Sequence, residues 1–216
     1  MIITIDGPAG AGKSTVTRLL AERTGFQFLD TGAMYRAVTW AAMQRQVNFD
    51  DPNRLAELIR QITLRVDANR IFVDDHDVTD EIRCPEVTRR IQAVADNIEV
   101  RSHLVSLQRQ IASSGNYVCE GRDQGTVAFP NADCKIFLTA SAMERALRRQ
   151  EQLLKQGQTI DLQTILQDQQ TRDQQDALRP VGRLIKADDA IEVDTDHKSI
   201  EEVVDELQKI VAAKRR

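Results

Sequence analysis

The chain has 216 residues, which at roughly 150 per domain points to one domain with an insertion, large enough to bury a core without disulfide or metal support. Its 41% hydrophobic and 29% charged content excludes a disordered or collagen-like chain, and no apolar run approaches the ~18 residues of a membrane span. A net charge of −4 provides no basic field for nucleic acid or anionic lipid, and no basic-then-apolar leader opens the sequence, so a soluble cytoplasmic protein that binds neither is expected. Cys84, Cys119 and Cys134 stand far apart with no CxxC pair and read as free thiols of a reducing compartment. Of the 29 basic residues, 22 are arginine and seven lysine, a bias toward the side chain whose planar fork matches phosphate and carboxylate.

Residues 2–5 form a short β-branched run that reads as a buried strand. The glycine-rich DGPAGAGKST follows, and then an amphipathic helix over 16–23 with Leu19 and Leu20 on its apolar face. Residues 26–29 suggest a second strand and 32–46 a helix. Between about 63 and 82 the period changes to two: Ile62, Leu64 and Val66 alternate with Thr63 and Arg65, and Arg70-Ile71-Phe72-Val73 follows across Ala68-Asn69. This predicts an antiparallel hairpin insertion with its turn at Ala68-Asn69. Further strands are expected at 117–120, 135–138 and 190–193, each followed by a helical pattern, including helices at 143–155 and 200–213. The glutamine-rich span 150–175 reads as a solvated helical pair, stopped by Pro180. Strands alternating with helices imply an α/β fold, a parallel sheet covered on both faces.

Gly7-Pro-Ala-Gly-Ala-Gly12-Lys13-Ser14 fits G-x4-G-K-[ST] without a mismatch, with a strand entering and a helix leaving. Glycines let successive backbone N–H groups converge on phosphate oxygens, and the helix N-terminus adds about half a positive charge. Lys13 can reach the β and γ phosphates, and the Ser14 hydroxyl can ligate Mg²⁺. The loop implies nucleoside triphosphate binding; by itself it leaves water, a protein or a metabolite open as the phosphoryl acceptor.

Several arginines fall where a second polyanion would need them. Asp30-Thr31-Gly32-Ala33-Met34-Tyr35-Arg36 sits where the second strand meets its helix, with Thr31 placed either to cap that helix or to touch phosphate. Gly121-Arg122-Asp123 directly follows an apolar strand, at a carboxyl end of the sheet, where open α/β sheets bind ligands. Arg145 and Arg149 share one helical face, and Arg172, Asp173, Asp176 and Arg179 recur at helical spacing. His76, His103 and His197 are scattered and read as structural, so no general base is evident.

Together, ITIDGPAGAGKST, LDTGAMYRAV, DVTDEIR, EGRDQGTVAFPNADCKIFLTAS, ERALRR and ADDAIEVD resemble the bacterial cytidylate kinases, nucleoside monophosphate kinases of the P-loop class, over essentially the whole chain. The resemblance implies a single kinase domain with a core of about 1–47 and 84–216, a monophosphate-binding insertion of about 48–83 and a lid of about 150–182. It implies transfer of the ATP γ-phosphate to CMP, with dCMP as a second acceptor, by a monomer. Gly7, Pro8, Ala9, Gly10, Ala11, Gly12, Lys13, Ser14 and Thr15 would bind ATP. Thr31, Arg36 and Arg122 would hold the acceptor phosphate, and Arg101 and Asp123 would read cytosine. Arg172, Asp176 and Arg179 would contact the acceptor's sugar, base or phosphate, while Arg145 and Arg149 would flank ATP at the lid. Lys13, Arg122, Arg145, Arg149 and Arg172 would carry catalysis with Mg²⁺. Gln92 stands where the family commonly offers the base a serine. Gln174, Gln175 and Ala177 replace charged or hydroxyl residues, and Gly182-Arg183-Leu184 replaces small-Pro-Leu. Acceptors such as UMP, AMP or shikimate, and a switch ATPase or a nucleotide sensor, are the rival readings.

Overall fold

The computed structural model describes residues 1–67, 70–155 and 157–215. In chain order the elements are β1 (Ile2–Asp6), α1 (Lys13–Thr24), β2 (Gln27–Asp30), α2 (Thr31–Gln44), α3 (Pro52–Gln61), β3 (Leu64–Asp67), β4 (Arg70–Val73) and β5 (His76–Asp77). There follow α4 (Pro85–Asp96), α5 (Ile98–Ala112), β6 (Tyr117–Gly121), β7 (Cys134–Thr139), α6 (Ala142–Lys155), α7 (Leu162–Leu178), β8 (Ile191–Asp194) and α8 (Ile200–Lys214). These form two compact units: Met1–Leu29 with Gly115–Arg216, and the continuous stretch Asp30–Ser114.

The first unit is built on a five-stranded sheet of order β2-β6-β1-β7-β8; the strand–helix alternation predicts a parallel sheet but not this order. β1 runs parallel to both β6 and β7, and β7 parallel to β8. Strands buried on both faces are largely apolar, which is why residues 2–5 show no alternation, with Thr4 the one polar side chain among them. Ile3, Ile5, Leu20, Val118, Ile136, Leu138, Val204 and Leu207 meet in one core. Each fully buried aliphatic side chain there contributes roughly 1.5–3 kcal/mol. Among the described residues, no helix is long and apolar enough to cross a membrane.

One expected element differs. No α-helix follows β6. Val127 N–H and Ala128 N–H both donate to Asp123 O (2.8 and 3.1 Å), and Phe129 N–H donates to Gln124 O (2.7 Å), closing a single π-helical turn over Gln124–Ala128. Gly125 and three neighbours with little helix-forming strength cannot sustain a longer helix before Pro130. The glutamine-rich span does form a helix pair, α6 and α7, stitched by a small apolar cluster of Ala146, Leu153 and Ile165.

In the second unit β3 and β4 pair antiparallel, Leu64 opposite Val73 and Asp67 opposite Arg70, and β5 adds a third strand. The expected turn at Ala68-Asn69 lies outside the described residues. Helices α3, α4 and α5 occupy stretches that the strand–helix alternation leaves unassigned. Their starts follow ordinary chemistry: Asp51 caps α3 ahead of Pro52, Pro85 opens α4, and Asn97 accepts from Glu99 and Val100 N–H to open α5. Trp40, the single tryptophan, stacks on His76 with ring centroids 5.6 Å apart and planes 12° from parallel.

Candidate active site

The phosphate loop joins the end of β1 to the start of α1. Gly7 has φ +151, and an added Cβ would lie 2.2 Å from the Leu138 carbonyl oxygen of β7, so only glycine fits there. Gly10 has φ +82 and packs against the Cβ of Arg145 and Nε2 of Gln169. Lys13 is 6% exposed, and its Nζ donates to the loop's own Pro8 carbonyl (2.7 Å). Burial first, then the charge of Arg122, with Arg172 adding to it, drives the Lys13 pKa down; Glu120 and Asp6 oppose this. Three cationic side chains are thus held within electrostatic reach of one another, an arrangement that a polyphosphate relieves.

Ser14 Oγ donates to Glu120 Oε1 (2.7 Å), bringing a hydroxyl and a carboxylate together where the loop enters α1. These are hard oxygen donors suited to Mg²⁺. Asp6, the other acid near the loop, is less suited, because both its oxygens accept backbone N–H groups, from Gln124 (2.9 Å) and Gly125 (2.8 Å). Glu120 and Asp6 fall within the segments EGRDQGTVAFPNADCKIFLTAS and DGPAGAGKST, but spacing assigns them no role there. Their position at the last residues of paired strands, Asp6 opposite Gly121, is the signal that would have found them.

Beyond β6, Arg122 donates Nε–H to Asp176 Oδ2 (2.8 Å), and Arg179 donates to Asp176 Oδ1 (2.6 Å). Burial pushes the Asp176 carboxyl up, but Arg122 and Arg179, with Arg172 assisting, outweigh it and hold it below the usual carboxylate range. The first unit therefore brings Lys13, Arg122, Arg172, Asp176 and Arg179 into one charged group. Asp123, 3% exposed, holds the π turn through its carbonyl.

The lid arginines divide. Arg149 is exposed and donates to Gln152 (2.8 Å). Arg145 is 5% exposed and engaged by protein: it donates to Ala9 O (2.8 Å) and Ala140 O (3.2 Å), and pairs with Asp173 (2.7 Å). Arg148 was not singled out by spacing, yet its Nη1 would lie 3.9 Å from a Cβ added at Gly12, and it donates to both the hydroxyl (3.0 Å) and the carbonyl (2.7 Å) of Thr195.

In the second unit, Asp30 rather than Thr31 caps α2, accepting Ala33 N–H (2.9 Å), because Thr31 is already the first helical residue and is buried. Arg36 donates to Thr88 Oγ1 (2.9 Å) and Ile82 O (3.3 Å). Arg101 is buried, donates to Ala95 O (3.0 Å) and lies over the Tyr35 ring. Gln92 reaches one turn along α4 to bond Asp96 (3.1 Å).

A family model described as cytidylate kinase matches residues 3–213. A cytidylate kinase of Rhodopirellula baltica is 51% identical over 211 residues, covering 98% of this chain and 92% of the relative. One from Bacillus subtilis is 43% identical over 218 residues, covering 99% and 97%. Among solved structures, a shikimate kinase of Bacteroides thetaiotaomicron superimposes with a TM-score of 0.51 at 13% identity, covering 98% of each chain, which supports the P-loop kinase fold alone. A complete phosphate loop at the centre of a parallel sheet, the cations gathered beside it, and a match along nearly the whole length place this chain in the cytidylate kinase family.

Proposed function

We infer that this ATP-dependent phosphotransferase passes the γ-phosphate of ATP to CMP, giving CDP and ADP, with dCMP as a second acceptor. The observation that carries this reading is the phosphate loop of Gly7–Thr15 with Lys13, Arg122 and Arg172 grouped at its mouth, in a chain of this family. The CMP phosphate, with a second pKa of about 6, is largely ionised near neutral pH, so the attacking oxygen needs no general base. Catalysis is then positioning and charge neutralisation. The loop amides and Lys13 hold the ATP phosphates. Arg122, Thr31 and Arg36 hold the acceptor phosphate, and Arg101 and Asp123 face cytosine. Arg172 and Arg179 neutralise charge near the acceptor, with Asp176 fixing Arg122 and Arg179. Ser14, with Glu120 beside it, would hold Mg²⁺, which supplies charge neutralisation on the transferring group.

Residues of about 150–182 serve as the lid, tied to the phosphate loop through Asp173 and Arg145; Arg149, exposed just before that span, meets ATP on closure. Excluding water there limits ATP hydrolysis. The enzyme acts as a cytoplasmic monomer on nucleotides. An ADP-release assay with CMP, dCMP, UMP, AMP and no acceptor tests the reading. Release dependent on CMP supports it; release without acceptor indicates a switch ATPase, and none with any acceptor a sensor.

A further inference from the structure

Asp6 is the last residue of β1, immediately before the phosphate loop, and is 5% exposed. Its carboxylate accepts the N–H groups of Gln124 and Gly125 at 2.9 and 2.8 Å, while its charge also acts on Lys13. Those amides open the π-helical turn that directly follows Arg122 and Asp123. The first N–H groups of any helical turn have no partner within it, and here an acid 118 residues away supplies one. The turn has no lateral room either. A Cβ added at Gly125 would lie 3.1 Å from Thr4 Oγ1, 3.2 Å from Lys135 Cδ and 3.4 Å from Asp6 Oδ2. Burying a carboxylate is costly, and an apolar strand end would avoid that cost. Single π turns also concentrate at functional sites.

We propose that Asp6 is a positioning residue for the acceptor: by holding the amides of Gln124 and Gly125, it fixes the backbone from which Arg122 and Asp123 project. One strand end then sets both the donor loop, through the covalent chain, and the acceptor-reading pair, through two hydrogen bonds. The inference rests on the reading of Arg122 and Asp123 as acceptor contacts.

The test measures kcat/KM for CMP and UMP, and KM for CMP and ATP, in wild type, Asp6→Asn, Gly125→Ala and Asp123→Asn. The CMP/UMP ratio does not depend on how much enzyme is folded, so loss of stability alone cannot move it. Asp6→Asn places an amide donor against a backbone donor, and Gly125→Ala forces the turn off β1 from the other side. Each should lower the CMP/UMP ratio about tenfold and raise the CMP KM several-fold more than the ATP KM. An unchanged ratio and CMP KM in Asp6→Asn, where Asp123→Asn shifts them, overturns the inference and leaves the acceptor reading intact. A larger shift in ATP KM than in CMP KM also overturns it, assigning Asp6 to the donor loop alone. If Asp123→Asn shifts neither quantity, the acceptor reading falls and the inference with it. Should Asp6→Asn fail to fold, Gly125→Ala decides: the shift supports the proposal and its absence sinks it.

Discussion

Arg122 and Asp176 are joined by a 2.8 Å hydrogen bond across 54 residues of sequence, and the same carboxylate accepts Arg179. The guanidinium at the end of β6 is therefore held before any substrate arrives, and little of its side-chain entropy remains to be lost on binding.

Arg122→Ala should consequently raise the KM for CMP far more than that for ATP. A charge-assisted bond to phosphate contributes about 1.5–3 kcal/mol, or ten- to a hundredfold. Arg36→Ala, in the second unit, should show the same asymmetry. Steady-state kinetics with each substrate varied in turn will show it; equal effects on both substrates count against separate donor and acceptor contacts.

Lys13→Ala should lose roughly 10²–10³ in kcat while the protein stays folded. The side chain is buried among other cations, so its removal relieves repulsion and should not lower the melting temperature. Near-normal turnover would refute its role at the transferring phosphate.

Gln92→Ser should sharpen the preference for CMP over UMP. Cytosine offers an amino donor beside a ring-nitrogen acceptor, and uracil reverses both, so an acid facing the first and an arginine facing the second oppose uracil. A glutamine amide donates as well as accepts and can suit either base; a mismatch leaves buried groups unpaired at about 1–3 kcal/mol each. The ratio of kcat/KM values measures it, and no change on substitution removes Gln92 from base selection.

The strand–loop–helix of the first 24 residues was legible because its information is local: an apolar run, glycines at fixed spacing, and then helical periodicity. The hairpin insertion was legible for the same reason, through its period of two. The engagement of Arg145 was not. Its partners Ala9, Ala140 and Asp173 come from three separated segments, and helical spacing pairs it with Arg149, which is exposed. Likewise α4 buries only Val87, Val94 and Ala95, too sparse an apolar face to announce a helix among charged neighbours. The π turn escaped because its cap, Asp6, lies on another strand.

Burial raises the pKa of Asp6 from 3.8 to about 6, against the lowering effect of its two backbone bonds. Below about pH 4 the carboxyl is protonated in both folded and unfolded chains, and its contribution to stability is greatest. As pH rises through about 6 the folded chain must ionise a buried acid that the unfolded chain ionised earlier, so up to about 3 kcal/mol is lost. Asp6→Asn lacks this titration, so its unfolding free energy relative to wild type should improve by that order between pH 4 and 8. Asp176 titrates in the opposite direction in both proteins and cancels. Denaturant unfolding at each pH measures the difference; a flat difference contradicts the assigned shift.

The sheet register also constrains the birth of the protein. Ile2 finds its partner at Tyr117 and Ile3 at Cys134, so the central strand meets neither neighbour until more than half the chain exists. At ~5–20 residues per second on the ribosome, β1 waits roughly 6–20 s as an unpaired apolar segment. Closing the intervening stretch Asp30–Ser114 as random coil costs about 4 kcal/mol in loop entropy. That stretch is continuous in sequence and forms a compact unit of its own, so its collapse ahead of β6 would shorten the span that β1 and β6 must bridge. The phosphate loop, continuous with β1, is thus synthesised well before the strands that flank it.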